Sequence, residues 1–102
     1  MRYDKLVRDK IPEIIKKKEL TPVTHIAEDK EYWKKIKEKL REEVDEFLNE
    51  SNKEELSDIL EVIYAICKFK NFDKEELEDI RKKKVEERGG FKDKIILEEV
   101  KE

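Results

Sequence analysis

Very few residues in this sequence can interrupt a helix. Only two glycines and two prolines occur among its 102 residues. The long stretches between them space their apolar residues three and four apart, which is typical of helices with one buried face. The sequence therefore predicts an all-α fold, and a chain of this length fits a single domain over residues 1–102.

Start and stop signals divide the chain into four helical segments. We predict helices over residues 12–19, 29–49, 51–69 and 73–88. The last two begin at capping boxes that open on Ser51 and Asp73. Gly89 is placed to end the last helix in a left-handed conformation. The fourth segment is therefore bounded at both ends.

The two ends of the chain lie outside these helices. Residues 94–97 are rich in β-branched and apolar side chains, so they could form a short strand or an extended docking arm, with Leu6 and Val7 as a strand partner. The expected architecture is a bundle of about four helices built on the hairpin of the second and third. Short extended N- and C-terminal segments flank it.

Composition limits the core and the partners. Hydrophobic residues make up 36% of the chain, a low share for a lone domain, so we expect association into a dimer or a larger assembly. The formal net charge of −3 gives no case for binding a nucleic acid polymer. The longest apolar run, residues 62–67, is too short to cross a bilayer and no signal peptide is recognisable. We therefore expect a cytoplasmic protein without membrane association.

Two acidic motifs flank the turn between the second and third helices. Glu43 and Glu46 lie three residues apart in the second helix, and Glu55 and Asp58 have the same spacing in the third. Each pair therefore projects from one side of its helix. If residues 50 and 51 form the bend, Glu43 lies level with Asp58. Glu46 then lies level with Glu55.

The helical wheel brings the four acids together. At about 100° per residue, both pairs are offset from the apolar stripe of their helix in the same direction, so they meet at one edge of the hairpin. Four carboxylates at two matching levels predict a site for Mg²⁺, with Mn²⁺ as an alternative. A solvated charged face is the competing interpretation, because 52% of the residues are charged. Against it, four carboxylates so close together repel one another unless a cation is present.

Basic residues near both ends of the chain could bind phosphate. Lys5, Arg8 and Lys10 fall in one short segment with apolar anchors. Lys84 and Arg88 are four residues apart and share a face of the fourth helix. Arginine suits bidentate phosphate recognition, and lysine acts as a point charge. Lys84 has an alternative role, because cations near a helix C-terminus complement its dipole.

Together these motifs resemble those of the MazG-like, all-α nucleoside triphosphate pyrophosphohydrolases. The acidic residues 42–46 and 55–58, the N-terminal segment 5–12 and the segment 84–91 occur in the order expected of one subgroup. That subgroup comprises predicted house-cleaning pyrophosphatases related to phosphoribosyl-ATP pyrophosphohydrolase. The resemblance covers nearly the whole chain, although the segment between the two acid pairs is shorter than in many relatives.

The resemblance implies a Mg²⁺-dependent enzyme that cleaves a nucleoside triphosphate, including a non-canonical one, to the monophosphate and pyrophosphate. Glu46 or Glu43 would position or deprotonate the attacking water. Cations would neutralise the phosphate tail, namely Lys5, Arg8, Lys10, Lys84 and Arg88. Similar proteins are dimers or tetramers with a shared helical bundle. The alternatives are phosphoribosyl-ATP hydrolysis and a non-catalytic helical module that binds a partner or a nucleotide.

Overall fold

The computed structural model describes residues 2–102 and contains four helices and no strand in that range. Their bounds are α1 Ile11–Lys17, α2 Asp29–Glu50, α3 Lys53–Lys70 and α4 Lys74–Arg88. The predicted all-α fold class and the number of helices are confirmed. Every boundary lies within about two residues of its predicted position.

The antiparallel pair of α2 and α3 is the centre of the molecule. It is the one extensive helix–helix contact in the described chain. Ile36, Val62 and Cys67 are its buried apolar residues. At the open end of the hairpin, the Phe69 ring stacks on Trp33 with centroids 5.8 Å apart. Trp33 therefore serves packing between the two helices.

A two-residue connection joins α2 to α3. Ser51 ends α2 in the left-handed conformation, with φ 52° and ψ 40°, and its backbone N–H donates to the Phe47 carbonyl oxygen at 2.7 Å. Asn52 caps α3, because its side chain accepts a hydrogen bond from the Glu55 N–H at 3.0 Å. The predicted cap at Ser51 was therefore wrong by one residue. Ser51 is used to terminate the preceding helix, which moves the bend one residue along the chain.

Helix α4 begins and ends where its signals predict. The Asp73 side chain accepts from the Glu75 N–H at 2.9 Å and caps the start. Gly89 ends the helix with a positive φ of 84° but an extended ψ of 173°, so the left-handed conformation predicted for it was wrong. This combination of angles is essentially restricted to glycine. Every residue of α4 is exposed in the single chain. The helix is therefore well bounded but lacks a packing partner within the described residues.

The chain ends do not pair with each other. Residues 94–97 form no strand and are exposed, so the first of the two possibilities, a strand paired with Leu6 and Val7, is not found. Leu6 and Val7 are half-buried against the hairpin instead. The N-terminal segment, residues 2–10, runs along α2, where the Lys35 ammonium donates to the Asp4 carbonyl oxygen at 2.6 Å. This placement brings the segment beside the acidic edge of the hairpin.

No helix within residues 2–102 combines the length and apolar character that crossing a lipid bilayer requires.

Candidate metal centre

The four predicted carboxylates meet at one edge of the hairpin. One oxygen from each residue can be chosen so that all four atoms lie within 4.8 Å of one another, the residues being Glu43, Glu46, Glu55 and Asp58. Oxygens on opposite sides of a bound Mg²⁺ lie about 4.2 Å apart. Small side-chain rotations would therefore close the group around one hard cation. The sequence-based prediction that these acids share an edge matches this geometry.

Two of these carboxylates carry oxygens that the protein does not satisfy. Glu43 is 7% exposed, and its Oε2 atom is buried without a hydrogen-bond partner in the described chain. The Oε2 atom of Glu55 is likewise buried and has no hydrogen-bond partner in the described chain. Buried polar atoms are normally paired, and leaving a charged one unpaired is costly. Buried, unpaired carboxylate oxygens on members of an acidic cluster fit the ligand set of a divalent cation.

The surroundings of Glu43 disfavour its charged form. Burial is the largest influence that raises the pKa of the Glu43 carboxyl, and the charges of Glu46 and Asp58 act in the same direction. The hydrogen bond and positive charge of Lys39 oppose them without reversing the shift. A cation at this position would remove the penalty on the ionised form.

Lys39 is a site residue that the sequence analysis did not identify. Its ammonium lies 3.3 Å from Glu43 Oε1 and 3.2 Å from Glu42 Oε2. Burial acts to raise the pKa of the Glu42 carboxyl, but hydrogen bonds from Lys5 and Lys39 outweigh it and lower this pKa. The signal for Lys39 was its position four residues before Glu43 in α2. That spacing is too common in so charged a chain to select one lysine.

Two of the five predicted phosphate-binding residues lie beside the cluster. The Arg8 guanidinium donates from Nη2 to Asp58 Oδ1 at 2.7 Å. The Lys5 ammonium donates to Glu42 Oε1 at 3.0 Å, and this hydrogen bond raises the pKa of Lys5. The N-terminal segment therefore supplies positive charge next to the acids.

The other three predicted cations lie away from the acids in one chain. Lys10 is exposed at the start of α1 and forms no ion pair within the described residues. Lys84 and Arg88 are exposed on α4 and line neither of the two cavities beside the acidic edge. Their role in binding phosphate stays a prediction.

A cavity of about 420 Å³ adjoins the cluster. Its apolar wall comes from the N-terminal segment and α1, through Val7, Ile11 and Ile15. Glu43 and Asp58 of the cluster also line the cavity and give it negative charge. The remaining lining residues are Tyr3, Lys5, Arg8 and Lys39. The cavity thus joins an apolar surface to three cations and to the carboxylate cluster.

Comparison with protein families found no match, and comparison with solved structures found none either. A relative from Mycolicibacterium smegmatis, described as an uncharacterized protein, is 51% identical over 41 residues. The matched segment covers 40% of this chain and 42% of the relative. It therefore spans less than half of that relative's length.

Proposed function

We propose that this protein is a Mg²⁺-dependent nucleoside triphosphate pyrophosphohydrolase of the MazG-like type. The observation that supports the proposal most is the group of four carboxylates, with oxygens within 4.8 Å, two of which carry buried and unpaired atoms. Mg²⁺ prefers oxygen ligands and commonly bridges a few carboxylates to a polyphosphate. The chemistry of the cluster therefore agrees with the reaction that the sequence motifs suggest.

In the proposed reaction, water attacks the α-phosphorus of the substrate. The bond from that phosphorus to the bridging oxygen breaks, and pyrophosphate leaves with the electron pair. Glu46, the most exposed member of the cluster, would orient the water and accept its proton, and Glu43 is the second candidate. A divalent cation held by the four acids would supply charge neutralisation and make the water more acidic.

The cavity beside the cluster would hold the rest of the substrate. Lys5, Arg8 and Lys39 can neutralise phosphate oxygens from its rim. The wall of Val7, Ile11 and Ile15 can contact a nucleobase. Substrate binding would therefore place the scissile phosphate between these cations and the carboxylates.

A second copy of the chain would complete this arrangement. The apolar residues of α4 include Leu77 and Ile80, which are 41% and 51% exposed. On the helical wheel, Lys84 and Arg88 lie within about 20° of Leu77. Burying this apolar face in a homodimer or homotetramer would carry both cations into the interface, and we propose that they reach the substrate there. We also place the enzyme in the cytoplasm, where nucleoside triphosphates are abundant.

Pyrophosphate release tests the activity. The purified protein should release pyrophosphate from at least one member of a panel of nucleoside triphosphates and phosphoribosyl-ATP in the presence of Mg²⁺. Asp58→Asn should lower the rate by about 100-fold or more, because it removes a charged ligand of the cluster. Asp45→Asn removes the same charge from an exposed position of α2 outside the cluster and should leave the rate unchanged. Failure of the whole panel would rule out the proposed activity.

Thermal unfolding separates an enzyme from a non-catalytic module. A metal cluster predicts that Mg²⁺ raises the melting temperature, and that Asp58→Asn reduces the rise. An acidic edge that only contacts a partner protein predicts no such rise. A protein that binds nucleotides without cleaving them would show nucleotide binding but no pyrophosphate in the panel.

A further inference from the structure

We propose that Arg8 and a divalent cation compete for Asp58, so that loading the metal releases the N-terminal segment from α3. This inference rests on the proposed metal site. It assigns Arg8 a role in the metal-free protein, as the counterion of a metal ligand, in addition to any contact with substrate. It also makes the position of residues 2–10 depend on whether the cluster holds a cation.

Among the side-chain contacts of the N-terminal segment, the one made by Arg8 reaches a different helix from the others. Asp4 and Lys5 attach the segment to α2, through Lys35 at 2.6 Å and Glu42 at 3.0 Å. Arg8 makes the one side-chain hydrogen bond from residues 2–10 to α3, over a separation of 50 residues in the sequence. Breaking this bond would release the part of the segment around Arg8 from α3, while the contacts of Asp4 and Lys5 with α2 remain.

The Arg8–Asp58 pair is placed where a cation would disturb it. Arg8 holds Asp58 Oδ1 at 2.7 Å, and Asp58 also contributes an oxygen to the cluster. A divalent cation on that carboxylate would lie within a few ångströms of the guanidinium. Like charges at that separation repel, and the metal withdraws the negative charge that attracts Arg8. Each cation therefore weakens the binding of the other.

Because the Arg8–Asp58 ion pair is exposed to solvent, Arg8 can readily be replaced on Asp58 by another cation. The side chains of Arg8 and Asp58 are 56% and 36% exposed, and ion pairs this accessible contribute little to stability. Arg8 can therefore leave Asp58 for solvent at small cost. The freed guanidinium would lie at the rim of the cavity, where its planar donor groups suit phosphate oxygens.

A different arrangement gives the opposite prediction. Ligand carboxylates are often held by an outer hydrogen bond that improves metal binding. If Arg8 kept Oδ1 while the metal used Oδ2, Arg8 would strengthen the site. The sign of the effect of removing Arg8 on metal affinity therefore distinguishes competition from support.

Calorimetric titration with Mn²⁺ and with Mg²⁺ tests the competition. Arg8→Gln should bind the metal about fivefold or more tightly than the unaltered protein, in the range typical of coupled sites. Arg2→Gln is the matched control, because Arg2 lies in the same segment and pairs with Asp4 at 3.0 Å, outside the cluster. Its metal affinity should stay within about twofold of that of the unaltered protein. Weaker binding by Arg8→Gln, or equal affinities in the two variants, would overturn the inference.

Hydrogen exchange measured by mass spectrometry provides the second readout. Saturating Mg²⁺ should accelerate exchange of the Ile11 and Ile14 backbone amides in the unaltered protein, because these amides donate to the Arg8 and Lys10 carbonyl oxygens at 3.1 Å. In Arg8→Gln the same amides should exchange rapidly without metal. Slower or unchanged exchange on adding Mg²⁺ would contradict release of the segment. If the unaltered protein bound neither metal, the proposed metal site would fail together with this inference. If it bound metal but Arg8→Gln resembled Arg2→Gln, this inference alone would fail.

Discussion

Glu43 is the residue whose surroundings least suit a charge. It is the one buried charged residue in the described chain, and burial raises the pKa of its carboxyl. In the folded protein Glu43 therefore binds a proton up to a higher pH than it does in the unfolded chain. The folded state consequently loses stability as the pH rises from the ordinary glutamate pKa through the raised one. Without a divalent cation, ionised Glu43 is thus a source of instability at neutral pH.

Replacing Glu43 tests whether its ionised carboxylate destabilises the metal-free protein. In chelator, Glu43→Gln should melt at a higher temperature than the unaltered protein at pH ~7, and the difference should shrink as the pH falls towards ~4. Mg²⁺ should then raise the melting temperature less in the variant, because a ligand is lost. Glu61→Gln, an exposed substitution on α3, serves as the control. A lower melting temperature for Glu43→Gln in chelator at neutral pH would contradict the prediction.

Spacing within a helix was enough to predict the cluster but not its counterions. The four acids follow from positions three residues apart and from a hairpin whose bend was misplaced by only one residue. The contact of Arg8 with Asp58 joins residues 50 apart and depends on how the N-terminal segment lies on the hairpin. No local pattern encodes that path. Lys39 lay within local reach but was one of many lysines at such a spacing.

At the scale of the helices, capping residues explain why the ends of α4 were predicted correctly and why the cap of α3 was misplaced by one residue. As predicted, Asp73 caps the start of α4 and Arg88 is its last residue. Ser51 and Asn52 are both good capping residues, and side-chain chemistry alone does not show which of them takes the left-handed conformation. The tail shows the limit of strand propensity, because residues 94–97 lack a partner strand in the described chain and form no regular structure.

Removing the two helix caps should have unequal effects. Asn52→Ala removes the acceptor for the Glu55 N–H, so it should lower the free energy of unfolding by about 1 kcal/mol. Asp73→Ala removes the corresponding acceptor of α4. At concentrations low enough to keep the chain monomeric, it should barely move the unfolding midpoint of the hairpin, because α4 packs so little on the hairpin within one chain. Urea unfolding followed by the fluorescence of Trp33, which reports on the hairpin, measures both. Equal effects would show that α4 unfolds together with the hairpin.

The described chain is more extended than a compact domain of the same length. Its radius of gyration is 18.4 Å, compared with about 13 Å for a compact chain of this length. Large apolar side chains along α3 remain about half exposed, including Leu56 and Leu60 at 48% and 49%. Their spacing of four residues places them on one face of the helix. Exposed apolar stripes are typical of association surfaces, so we expect a second copy of the chain to cover this one.

Light scattering coupled to size-exclusion chromatography tests self-association. The unaltered protein should elute with two or four times the chain mass of 12.4 kDa. Leu60→Lys should shift it towards the monomer, because it places a charge in the centre of the exposed stripe. Glu61→Gln changes the neighbouring position without altering the stripe and should retain the oligomer. A monomeric mass for the unaltered protein at micromolar concentration would contradict the prediction.

The two-residue joint at Ser51 and Asn52 also sets the rotational phase of the two halves of the metal site. One residue inserted between Asn52 and Glu55 would turn the rest of α3 by about 100° relative to its cap, and both of its carboxylates would swing away from α2. Insertions of about three or four residues, close to a whole turn, would restore their direction but shift their height by about 5 Å. Insertions near this joint should therefore preserve the metal site only when α2 and α3 are both lengthened by about the same number of turns.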